Sequence, residues 1–118
     1  MKNNVLKEKS ILFALDVIHL YKHICETKKE YVLSKQFLRS GTSIGANISE
    51  AEYAESKPDF IHKLAVALKE SNETKYWLEL LYRSDYIDQF YFDAIRPKVE
   101  EQMKLLTSII NTSKNNNY

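Results

Sequence analysis

The sequence predicts an all-α protein, an antiparallel up-down-up-down four-helix bundle. Three observations carry this. Two Gly and two Pro in 118 residues are too few for the turns of an all-β fold. Apolar residues recur at steps of three and four through four long segments. The connections between those segments are short, which places consecutive helices side by side. The length suffices for one domain with one core, read as residues 1–113 with a polar flexible tail at 114–118.

The first helix is expected from about Asn4 to Glu26. One apolar stripe reads Ile11, Leu15, Ile18, Cys25 and a second reads Phe13, Val17, Leu20, Ile24. Two stripes make a wider face than one intramolecular groove requires, and the excess points to a partner surface. Thr27-Lys28-Lys29-Glu30 has the form of a capping box, so a second helix begins there or near Ser34. It carries Leu33, Phe37, Ile44, Ile48 and Ala51 and runs to about Glu55. Ser56-Lys57-Pro58-Asp59 reads as a stop and restart, with Ser56 as cap and Pro58 in the first turn. The third helix places Phe60, Leu64, Ala67, Leu68, Ser71, Lys75 and Leu78 at helical spacing up to about Ser84. Asp88 is the expected cap of a fourth helix that carries Phe92, Ile95, Val99, Leu106, Ile109 and Ile110. Pro97 inside that pattern kinks the helix or marks a late start.

Composition excludes some functions. A net charge of +1 and a pI near 7.8 are far from the strongly basic balance of a dedicated nucleic-acid binder, so any such binding must use a local patch. Such a patch exists in the linear charge pattern. From Lys22 to Arg39 five Lys/Arg face two Glu, net +3, whereas Ser40 to Asp59 is net −3. The first turn, with Lys22, Lys28, Lys29 and Lys35, is therefore a candidate basic end; its alternative reading is a solvated turn. The single Cys25 excludes an internal disulfide and suits a reducing compartment. With no apolar run near the ~18 residues of a membrane span and no signal-peptide pattern, a cytoplasmic protein without a membrane partner is expected.

Residues 39–50, RSGTSIGANISE, hold both glycines. In a helix, Gln36, Ser40, Ser43, Asn47, Glu50 and Ala54 fall on one polar line, with Arg39 beside it. Gly41 and Gly45 stack one turn apart. Each costs about 1 kcal/mol against Ala in a helix interior, so either another chain segment approaches closely there or the pair marks a kink or loop. Lys63, Glu70 and Glu73 of the third helix are the expected partners of Arg39, Ser43 and Asn47, because an unpaired buried arginine costs several kcal/mol.

The pattern Gln36-x-x-Arg39-Ser40-x-x-Ser43-Ile44-x-x-Asn47-Ile48-x-Glu50, continued by Phe60, Leu64, Ala67, Leu68, Glu73, Trp77 and Leu78, resembles the four-helix-bundle family of 23S rRNA-intervening-sequence proteins. The accessory variability proteins of diversity-generating retroelements are similar to it. Ala51 and Lys69-Glu70 depart from the family, which often has Gly and Gly-Ser there. The resemblance implies a ring-like homo-oligomer, usually a homopentamer. It also implies binding of RNA or DNA, in some members alongside a reverse transcriptase.

Other chemistry is poorly supported. His19 and His23, at i and i+4, with Glu26 have zinc-like spacing but no further ligands of the required kind. Ser40 and Ser43 sit in no nucleophile elbow. The aromatic residues, Tyr53, Tyr76, Trp77, Phe90 and Tyr91 among them, suit a subunit interface or base stacking. The sequence thus points to a non-enzymatic, cofactor-free accessory or scaffold protein on RNA, DNA or a nucleic-acid enzyme. The alternative is a protein-protein interaction bundle with no nucleic-acid role.

Overall fold

The computed structural model describes residues 2–115. Four helices follow in order: α1 Lys2–Lys28, α2 Leu33–Ala51, α3 Lys57–Arg83 and α4 Gln89–Asn115. Each helix packs on two others, in the cyclic order α1, α2, α3, α4, and the α1–α4 seam is the thinnest. The bundle measures 52 × 21 × 20 Å. Ion pairs mark the register. Lys7 of α1 bonds Glu52 just past α2, and Lys63 of α3 pairs with Glu50 of α2. Lys9 and Asp16 of α1 pair with Glu101 and Lys98 of α4. From Lys9–Glu101 to Asp16–Lys98 the residue number rises along α1 and falls along α4. None of the helices is long and apolar enough to cross a membrane, among the described residues.

The core is built by one stripe per helix. In α1 these are Leu6, Phe13, Val17, Leu20 and Ile24; in α2 Phe37, Ile44, Ile48 and Ala51. In α3 they are Leu64, Ala67, Leu78 and Leu81; in α4 Phe92, Ile95, Val99, Leu106 and Ile110. Pro97 lies within α4 and on its exposed side. Its missing N–H costs one backbone bond, while buried Ile95 and Val99 on either side keep the helix seated. α4 continues to Asn115, so Lys114 and Asn115, expected in the tail, are helical. The rest of the expected tail, 116–118, lies outside the described residues.

The connections differ from the sequence expectation in two places. Thr27 does not cap α2: its hydroxyl donates back to the His23 carbonyl at 2.7 Å, which keeps it in α1. Lys29 then takes a left-handed φ of 55° and turns the chain. Glu30 is the cap instead. Its carboxylate accepts the backbone N–H groups of Val32, Leu33 and Ser34 at 2.9, 2.9 and 2.8 Å, satisfying orphan donors of the first turn. Secondly, α2 ends at Ala51, not Glu55. Beyond Ala51 no apolar side chain continues the core line, and Glu52 is drawn to Lys7. The α2–α3 restart follows the sequence, with Ser56 accepting from Asp59 N at 3.2 Å and Pro58 in the first turn. Asp88 accepts from Tyr91 N at 3.1 Å and opens α4.

The Glu30 cap yields a pH prediction. Burial alone would raise this carboxyl, but the hydrogen bonds from Leu33, Ser34 and Val32 outweigh it and hold Glu30 below its ordinary value of 4.5. A depressed folded-state pKa contributes stability that is present above the unfolded pKa and lost as pH falls through the folded one. Glu30→Ala is expected to lower stability by about 1 kcal/mol at neutral pH. The gap to the wild type should close as pH is lowered below 4.5 in urea melts. A constant gap down to acid pH would exclude the cap as its source.

Candidate assembly face and basic end

The outer face of α1 is the first feature left unfinished by the fold. Of the two stripes predicted for this helix, the one through Phe13, Val17, Leu20 and Ile24 is buried and the one through Ile11, Leu15 and Ile18 is not. Leu12 is 53% exposed, Leu15 47%, Val5 56% and Ile11 42%, and Ile18 is half-buried. Exposed Glu8 interrupts the strip between Val5 and Ile11, and exposed Lys22 follows it. Exposed aliphatic side chains grouped on one face mark a surface suited to a partner. Beside the strip, Ala14, Thr42, Gly45, Ala46 and Ser49 form a shallow trough with Ile11 and Leu15. Small side chains at that trough leave room for a neighbour's larger ones.

Gly41 and Gly45 lie inside continuous α2, with no positive φ. They are sites of close approach and neither a kink nor a loop. A Cβ on Gly41 would stand 2.8 and 2.9 Å from the two γ-methyls of Val17, and one on Gly45 would stand 3.1 Å from Ser10 Oγ. α1 and α2 can lie this close only because those positions lack side chains.

The predicted polar line of α2 divides into separate pieces. Arg39 is not buried; its side chain is 47% exposed. It bonds Glu73 and, at 3.4 Å, Glu70, and its Nε donates to Gln36 Oε1 at 3.3 Å. Glu73 also accepts the Trp77 indole N–H at 3.0 Å. That bond, opposed by partial burial and reinforced by Arg39, holds the Glu73 carboxyl below its ordinary range. Ser43 and Asn47 take no part in this cluster. Ser43 donates to the Arg39 carbonyl at 2.6 Å, and Asn47 to the Ser43 carbonyl at 2.9 Å, both within their own helix. Glu50 pairs with Lys63 one end further on, and Ala54 lies past the helix. Ser40 is fully buried, with its Oγ 3.0 Å from Thr74 Oγ1.

The four lysines gather near one end of the bundle. Lys28 closes α1, Lys29 follows it in the turn, Lys22 precedes them by about two turns and Lys35 lies in the first turn of α2. None has an ion-pair partner among the described residues, whereas Lys7, Lys9, Lys63, Lys75 and Lys98 are all paired. Asp85 and Asp88 come from a remote stretch of sequence to this same end. They line a cleft of about 390 Å³ with His23, Thr27, Lys28, Tyr86, Ile87 and Tyr91. The His23 ring packs on Tyr91, with centroids 4.8 Å apart. Among the described residues no three His, Cys, Asp or Glu side chains gather in a metal-holding group.

One buried polar group had no place in the sequence reading. Gln102 is 1% exposed, and neither amide atom has a hydrogen-bond partner. It occupies the gap that the α4 stripe leaves between Val99 and Leu106, under the Lys9, Asp16, Lys98 and Glu101 side chains of the α1–α4 seam. The spacing 95, 99, 102, 106 was the signal that could have found it.

Comparison with known proteins agrees with this architecture. Residues 2–108 match the family model of the 23S rRNA-intervening sequence protein. A crystal structure of a protein with unknown function from the S23 ribosomal protein family of Bacteroides thetaiotaomicron is similar to it. That protein is 57% identical, with a TM-score of 0.92, over 94% of this chain and 99% of that one. No curated protein matches the chain. On the extent of the family match and the shared four-helix structure, the chain belongs to the family of 23S rRNA-intervening sequence proteins.

Proposed function

We propose that this protein is a non-enzymatic cytoplasmic scaffold subunit. It self-assembles through the outer face of α1 into a ring-like homo-oligomer, a homopentamer, and holds structured RNA or DNA on its lysine-bearing ends. The observation that carries the reading is the uncovered aliphatic strip of Val5, Ile11, Leu12 and Leu15. The opposed numbering of α1 and α4 supports an antiparallel up-down-up-down bundle. In that arrangement the α1–α2 and α3–α4 connections share one end, and rotation about a ring axis brings every such end to the same side. Lys22, Lys28, Lys29 and Lys35 then repeat around the ring, and a repeated patch of unpaired cations attracts phosphate backbones without reading sequence. A reverse transcriptase or another nucleic-acid enzyme fits as a protein partner of such a complex. Ser40 and Ser43, the hydroxyls considered as nucleophiles, donate to the Phe37 and Arg39 carbonyls of their own helix.

The second reading, a protein-protein interaction bundle alone, draws on Asp85 and Asp88 beside Lys28. Gel retardation of a stem-loop RNA separates the two. Binding is expected at low salt, falling steeply as salt rises. The triple change Lys28→Glu, Lys29→Glu, Lys35→Glu should weaken it at least about ten-fold. No retardation at low salt would leave only the second reading.

A further inference from the structure

We infer that the lysine-bearing end binds unpaired nucleotides, with Tyr31 and Phe90 as stacking platforms for the bases. The inference rests on the nucleic-acid reading above and narrows it to single strands and the loops of structured RNA. Tyr31, in the α1–α2 connection, is 54% exposed, and Phe90, in the first turn of α4, is 73% exposed. Both belong to the same end of the bundle, because Thr27 and Lys28 of α1 and Asp88 and Tyr91 of α4 line one cleft.

The surrounding contacts fit a base-stacking role. Phe90 meets Tyr91 edge-on, centroids 5.4 Å apart at 83°, and Tyr91 in turn packs on His23. An aromatic series therefore runs from the tip of α4 into the cleft. Exposed aromatics beside cations are the combination that single strands use: phosphates on the lysines, base faces on the rings. A duplex offers no free base faces to such rings.

Two carboxylates at this end are engaged by helix N-termini. Glu30 is committed to the start of α2 and Asp88 to the start of α4. Each carboxylate is thereby offset by the backbone donors of a helix N-terminus. Lys28, Lys29 and Lys35 have no such partners among the described residues; Glu26, Asp85, Asp88 and Asp93, the last held by the Gln89 amide, are the carboxylates left to oppose them.

Fluorescence anisotropy with a labelled oligouridylate and an RNA duplex of equal length tests this on the full chain. The single strand should bind about ten-fold tighter than the duplex. Tyr31→Ala and Phe90→Ala should each lower single-strand affinity by about ten-fold, on the scale of one stacked base, while Tyr31→Trp retains it. Light-scattering mass should be unchanged in all three, since both residues are exposed. If the alanine variants bind normally while the lysine variants do not, the stacking role is wrong and the lysine surface stands. A changed mass in the alanine variants would make Tyr31 and Phe90 subunit contacts and overturn the inference. Failure of the wild type to bind either RNA at low salt would remove both readings.

Discussion

Leu15→Glu combined with Ile11→Glu is expected to convert the assembled protein into monomers of 13.9 kDa. Both residues lie in the exposed strip of α1, not in the stripe that faces Phe37 and Ile44. Within the protomer the change is a surface one, of the kind that shifts stability by only about 0.5 kcal/mol. In an interface the same change buries two unpaired carboxylates, at a cost of several kcal/mol each. Assembly should therefore be lost while helical circular dichroism is retained. Light scattering reads the mass directly. An unchanged multimer in the double variant would move the interface off α1.

Gly41→Leu is expected to be the most damaging single change in the bundle. The clash is with Val17, a β-branched residue that is fully buried and cannot rotate away. Even the alanine Cβ would sit at 2.8 Å, which more than cancels the ~1 kcal/mol that alanine gains in helix propensity. Overpacking of this kind costs about 1–3 kcal/mol for modest additions and more for a whole leucine. Gly41→Leu should lower Tm by roughly 10 °C or more. Gly45 is milder. Its nearest neighbour is the Ser10 hydroxyl, which is bonded to the Lys7 carbonyl at 2.7 Å and has only to tilt. Gly45→Ala should be close to neutral. Gly41→Ala should be rescued in part by Val17→Ala, which removes the two offending methyls. Equal melting of Gly41→Ala and Gly45→Ala would show that the measured approach of α1 to α2 does not decide these positions.

Much of this could be read from the sequence because the determinants are local. The core stripes follow from spacing alone. Ser56 with Pro58, and Asp88 with Tyr91, act within one turn of chain, and the structure has them as caps where the spacing put them. Local reasoning misplaced Thr27 because its hydroxyl can accept from a backbone N–H ahead of it or donate to a carbonyl behind it, and the bond to the His23 carbonyl inside α1 wins. The acidic member of the same tetrapeptide does the capping instead. The polar line of α2 was drawn as one network since its members share a face. Ser43 and Asn47 then find acceptors one turn back in their own helix, while Arg39, Ser40 and Glu50 each reach a different partner on α3. The juxtaposition of Lys28 with Asp85 and Asp88 was out of reach, because it joins segments far apart in the chain. The over-wide face of α1 was legible from the start. What the sequence could not say is which of its two stripes the bundle would bury.

The partition of α1 into a buried stripe and an uncovered one is the centre of the functional proposal. Native mass spectrometry of the wild-type chain at micromolar concentration tests it most directly. The account predicts a discrete multiple of 13.9 kDa, five-fold for the proposed ring. A single species at 13.9 kDa would contradict it.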